Sequence, residues 1–131
     1  MAELLEQGIF QTSEFADELA EARENTSVGT SLLFENEDVR VWEVRLAPGI
    51  RCPFHAHTSS YFWTCVDSGV GRQRSPDGTL KIRRYAEGET QFSLHSPSDV
   101  MLHDLENVGD TMLRFITVEL LGDLVLGHAL P

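Results

Sequence analysis

From Asp38 to Leu46 apolar and polar residues alternate, with Val39, Val41 and Glu43 on one side and Trp42, Val44 and Leu46 on the other. Side chains of a strand alternate between its two faces, so this pattern predicts a half-buried β-strand. Ala47-Pro48-Gly49 then turns the chain into a second strand around His55-Ala56-His57, and Tyr61 to Val66 reads as a third, largely buried one closed by Asp67-Ser68-Gly69. Val70 to Arg74 and Thr79 to Tyr85 flank Ser75-Pro76-Asp77-Gly78. Proline presets φ and glycine accepts a left-handed conformation there, which predicts an antiparallel hairpin.

Extension resumes in Thr90 to Leu94, Val100 to His103 and Thr111 to Leu121, separated by an irregular His95-Ser96-Pro97-Ser98-Asp99 loop and an Asn107-Val108-Gly109-Asp110 turn. Short strands at close spacing, with almost no helix after residue 30, predict an all-β sandwich or barrel. The first thirty residues differ. Ser13 to Glu24 has the pattern of a short amphipathic helix, with Ser13 as N-cap and Phe15, Leu19 and Ala22 on one face. Such a helix is marginal alone and has to pack on its own barrel or on a neighbour. The expected organisation is a helical arm over 1–30, a barrel over 31–121 and an apolar tail over 122–131.

At 131 residues the chain suits one domain. Its hydrophobic share of 41% is that of a folded soluble protein, and no run reaches the ~18 apolar residues of a membrane span. Acid rather than lysine or arginine lies at Met1-Ala2-Glu3-Leu4-Leu5-Glu6, so a secretory leader is not expected and the cytoplasm is. Cys52 and Cys65 are accordingly expected to stay reduced. A net charge of -11, with Lys81 the sole lysine, argues against nucleic acid as a partner. The acid runs around Glu14 to Glu24 and Glu35 to Asp38 read as solvated faces.

The candidate chemistry lies in His55-Ala56-His57. Histidines at i and i+2 of a strand share a face, and Pro48, Gly49 and Pro53 oppose a helix here. Together with His103 and Asn107 the pair resembles the cupin superfamily, whose first motif runs glycine, five residues, His-x-His, then a glutamate and a glycine. Gly49, His55, His57 and Gly69 match it, but Tyr61 or Phe62 stands where the glutamate belongs. The second motif runs from a glycine to His-x-x-x-Asn, matched by Gly88, His103 and Asn107. The stretch between them is about four residues longer than the family pattern.

The resemblance implies a double-stranded β-helix, or jelly-roll, fold over roughly Leu32 to Leu121. It also implies one divalent metal held by His55, His57 and His103. Three imidazoles suit iron, zinc, nickel or copper better than oxygen-loving manganese, and open positions would admit substrate. This is similar to the three-histidine ferrous sites of some cupin dioxygenases, among them the acetylacetone dioxygenase type. Oxygenation of a small anionic or dicarbonyl-like molecule is the leading expectation; a non-catalytic binding module and a metal-assisted isomerase or lyase are the alternatives.

Tyr61 is the candidate proton donor. His95 is a further candidate to line the site or to replace His103, and His128 falls in the tail. Strand alternation turns Cys52 and Phe54 away from His55 and His57, so Cys52 is expected outside the site. Arg51, Arg83 and Arg84 are candidates to meet an anion, and Trp42, Trp63 and Phe92 to wall a pocket. A homodimer is expected, built on the helix and the apolar tail.

Overall fold

In the computed structural model, which describes residues 2–122, ten strands form two five-stranded antiparallel sheets. The strands are β1 (Glu3–Ile9), β2 (Ser31–Glu35), β3 (Val39–Leu46), β4 (Arg51–His57), β5 (Tyr61–Asp67), β6 (Gly69–Arg74), β7 (Thr79–Tyr85), β8 (Thr90–Ser93), β9 (Met101–Asn107) and β10 (Leu113–Leu120). One sheet has the order β1-β7-β6-β9-β4 and the other β2-β3-β10-β5-β8. The alternation in β3 is obeyed: Trp42, Val44 and Leu46 are buried, and Val44 and Leu46 join Cys65, Leu113 and Phe115 in the core. The tail beyond Gly122, with His128, lies outside the described residues. Among those described, no helix is long and apolar enough to cross a membrane.

The β6–β7 hairpin forms where Pro76 and Gly78 predict it, with Arg74 opposite Leu80 and Gly78 at a φ of 93°. Asp77 completes the turn by accepting the Thr79 N–H at 3.0 Å. Asn107, the last residue of the second motif, is a turn former too. Its amide donates to the Leu46 and Thr111 carbonyls and its oxygen accepts the Gly109 N–H.

The N-terminal region departs from the helix-only expectation. β1 pairs with β7 and extends the first sheet, although Glu3-Leu4-Leu5-Glu6 lacks alternation and every residue of the strand is exposed. Pairing with β7 fixes it, a long-range cause that periodicity does not register. The helix is also shorter than Ser13 to Glu24: a 3-10 turn at Thr12–Phe15 leads into α1 (Ala16–Glu21), and a second 3-10 turn follows at Ala22–Glu24. Neither the turn nor α1 has a side-chain N-cap, so Ser13 does not cap. Packing substitutes for capping. Phe15 meets Phe10 and Phe54 edge-on at centroid distances of 5.8 and 5.6 Å, and the Arg51 guanidinium lies 4.6 Å over the Phe15 ring.

Candidate metal centre

The β4 and β9 strands pair with His55 opposite His103 and His57 opposite Met101. This register brings the three imidazoles together. Their Nε2 atoms lie 3.1 Å apart for His55 and His57 and 2.9 Å apart for His57 and His103. With metal–nitrogen bonds of about 2.0–2.1 Å, two nitrogens at right angles about one ion would be separated by about 3 Å. The spacing therefore fits a single first-row ion holding the three rings on one side.

The tautomers fit as well. His55 Nδ1 lies 2.7 Å from the Pro53 carbonyl, an acceptor, so the proton belongs on Nδ1 and the lone pair on Nε2. His103 Nδ1 contacts the Gln73 side-chain amide. The atom nearest it is Gln73 Nε2; with the amide turned to present its oxygen instead, His103 Nε2 is likewise left as an acceptor. His57 Nδ1 is buried without a hydrogen-bond partner. His57 can therefore carry its proton on either nitrogen, and with the proton on Nδ1 its Nε2 lone pair joins the other two in facing a cation.

Burial holds all three rings neutral, the form a metal requires. It lowers the pKa of His55 against the opposing pull of the Pro53 hydrogen bond and Asp104, and lowers that of His103 strongly. His57 falls to about 2 through burial and the neighbouring His55 and His95.

The rings open on a cavity of about 60 Å³ whose other walls include Val44, Tyr61, Trp63, Gln73, Leu105 and Phe115. A water needs roughly 10–15 Å³ of such volume, so the space suits a few waters or a small organic molecule. Tyr61 lines it, with its ring stacked on His57 at a centroid distance of 4.0 Å. Phe62 pairs with Phe92 in register on β5 and β8 and is not among the cavity-lining residues. Of Tyr61 and Phe62, Tyr61 is thus the one presented to the cavity. Burial raises its pKa against a hydrogen bond from Ser93, so the phenol is a donor at neutral pH.

Several expectations are corrected. Cys52 is buried and faces the cavity, with Sγ 3.9 Å from His55 Nδ1. Between Cys52 and His55 the β4–β9 register shifts, so β4 carries one more residue than β9 and alternation slips by one. Phe54 does face away from the cavity, but it is fully buried beneath the N-terminal segment. His95 is outside the cluster: it bonds Ser93 Oγ at 2.7 Å and the Asp99 carbonyl at 3.2 Å, and stacks beside Tyr61 at 5.8 Å.

None of the three candidate arginines lines the cavity. Arg51 pairs with Glu18 and Asp104, and Arg84 with Glu3. Trp63 does wall it, whereas Trp42 donates to Glu119 at 2.7 Å and Phe92 is half exposed. Both cysteines are free. Gln73 was not singled out in the sequence; its position one residue before Arg74 on a hairpin strand carries no motif.

The double-stranded architecture is shared with solved structures. A cupin domain from Bordetella pertussis superposes with a TM-score of 0.62 at 22% identity, over 75% of this chain and 96% of that one. The chain has the cupin fold. A double-stranded β-helix protein from Klebsiella pneumoniae matches this cupin-fold chain with a TM-score of 0.56 at 19% identity, covering 88% of this chain and 90% of that one. An RmlC-like cupin from Methanocaldococcus jannaschii gives 0.56 at 20% identity, covering 73% and 82%. No protein-family model matches the sequence, and no curated protein is significantly similar to it.

Proposed function

We propose that the protein is a small metal-dependent cupin in which His55, His57 and His103 hold one divalent transition metal. On this reading it acts on a small anionic or dicarbonyl-like molecule. The observation that carries the reading is the convergence of three neutral imidazole nitrogens on one small cavity. Iron is the metal that fits an oxygenase role, with zinc, nickel and copper as alternatives for the same donor set. When bound, such an ion supplies Lewis-acid polarisation of a substrate oxygen and, if iron, activation of dioxygen.

The chain's own residues do the rest. Three neutral ligands leave the charge of a divalent ion uncompensated in an apolar cavity, which favours an anionic or enolisable substrate. Val44, Trp63, Leu105 and Phe115 exclude water around it. Tyr61, held protonated, donates a hydrogen bond to a substrate oxygen beside His57. A proton donor without an adjacent carboxylate suits oxygenation better than a lyase reaction that needs a general base. Oxygen consumption by the iron-loaded protein with small β-dicarbonyl compounds tests this reading; turnover that persists without oxygen would instead indicate the isomerase or lyase alternative.

A homodimer belongs to the same proposal, though through a different surface from the helix and tail. β2 is an edge strand whose Leu32, Leu33 and Phe34 are all about half exposed, so apolar side chains stand on both of its faces. An edge of this kind is suited to pairing with the same strand of a second copy.

A further inference from the structure

The strands that carry the histidines inside carry a second constellation outside. β4 is the edge of its sheet, with β9 as its sole neighbour there. At its bulge the Phe54 N–H and C=O point away from the sheet, and the N-terminal segment takes up both. Glu18 Oε2 accepts the Phe54 N–H at 2.7 Å, and Asn25 Nδ2 donates to the Phe54 carbonyl at 2.9 Å. The Asn25 carbonyl then accepts the Ala56 N–H at 2.8 Å. Phe54 immediately precedes His55, and Ala56 lies between His55 and His57.

The contact continues as ion pairs across three strands. Glu18 binds Arg51 on β4, whose Nε reaches Asp104 Oδ2 on β9 at 2.8 Å. Asp104, fully buried, accepts the Arg74 guanidinium and backbone N–H on β6, each at 2.7 Å. Asp104 follows His103 in the chain, and Arg74 follows Gln73. Because strand side chains alternate, Asp104 and Arg74 outside are each one residue from a group of the centre inside. An edge strand with a bulge has few restraints of its own. Metal ligands, by contrast, need to be held within about 0.5 Å of their working geometry.

We propose that Glu18 and Asn25 are positioning residues for the three-histidine centre, fixing the β4 bulge so that His55 and His57 meet His103. This inference rests on the metal reading above. The N-terminal segment is then part of the site's architecture, although it contributes no ligand.

The test is anaerobic titration of the metal-free protein with Co(II), following visible absorption for both affinity and coordination. Glu18→Ala should weaken Co(II) binding about tenfold or more, the scale seen when groups that orient metal ligands are removed, and should alter the absorption bands. Glu18→Gln, which retains an acceptor for the Phe54 N–H, should recover much of that loss. Asn25→Asp, which sets a carboxylate against the Phe54 carbonyl, should weaken binding by itself and decides the matter if Glu18→Ala does not fold. Glu3→Gln, at a surface pair outside the constellation, should behave as wild type. Folded Glu18→Ala and Asn25→Asp proteins with wild-type affinity and spectrum would overturn the inference. If wild type itself binds no Co(II), or His57→Ala binds it equally, the metal reading fails instead.

Discussion

The Tyr61 ring lies parallel to the His57 imidazole, with centroids 4.0 Å apart and planes inclined by 18°. An aromatic donor therefore covers one side of the three-histidine cluster. Replacing it should change which metals bind. Tyr61→Glu adds a hard anionic oxygen beside His57 and should tighten Mn(II) about tenfold or more relative to Co(II). Tyr61→Phe should leave both affinities unchanged. Competition titrations with the two metals read the ratio, and an unchanged ratio in Tyr61→Glu would remove Tyr61 from the site.

Acid should weaken both the N-terminal contact at Glu18 and the Glu106 ion pairs on β9. Burial alone would raise the Glu18 carboxyl, but hydrogen bonds from Arg51 and the Phe54 N–H outweigh it and hold its pKa below the ordinary value. Glu106 is lowered in the same way, burial being outweighed by Arg72 and Arg74. For a carboxyl whose folded pKa is depressed, the unfolded chain binds the proton first. The contributed stability is complete above the unfolded value near 4.5 and disappears as pH falls through the folded values. Thermal unfolding should therefore show a falling midpoint below about pH 4.5, and Glu18→Gln should flatten that fall. An equal slope in the variant would contradict the assignment.

Cys52 should resist alkylation at neutral pH. Its thiol is pushed up to about 11 by burial and by Asp104, against the opposing effect of Arg51, and the residue is buried on the cavity wall. Mass spectrometry after iodoacetamide should find it unmodified in the native protein and modified in urea. Rapid native labelling would place Cys52 outside, where simple alternation puts it.

The β2 edge offers a separate test. Leu33→Glu should convert a dimer to a monomer without changing the circular dichroism, because the residue is half exposed in a single chain. Light scattering reports the mass. A monomeric wild type, or an unaltered dimer in the variant, would contradict pairing through this strand.

Much of the barrel was legible because its cause is local. The alternation of β3 and the Pro76–Gly78 turn each dictate their own structure, and two histidines at i and i+2 share a strand face whatever surrounds them. What escaped depends on distant partners. β1 exists because β7 accepts it, and Cys52 turns inward because a bulge inserts one residue before His55. The contact of Gln73 with His103 appears only when β6 is laid beside β9. Glu18 read as one acid of a solvated run, yet it holds the Phe54 backbone and Arg51. Charge patterns in sequence do not reveal which carboxylate faces a neighbour.

Metal stoichiometry tests the central claim most directly. Wild-type protein purified anaerobically, stripped and titrated with Fe(II) or Co(II) should bind one ion per chain, and His57→Ala, with unchanged circular dichroism, should bind none. Stoichiometric binding that survives in folded His57→Ala, or no binding by wild type, would contradict it.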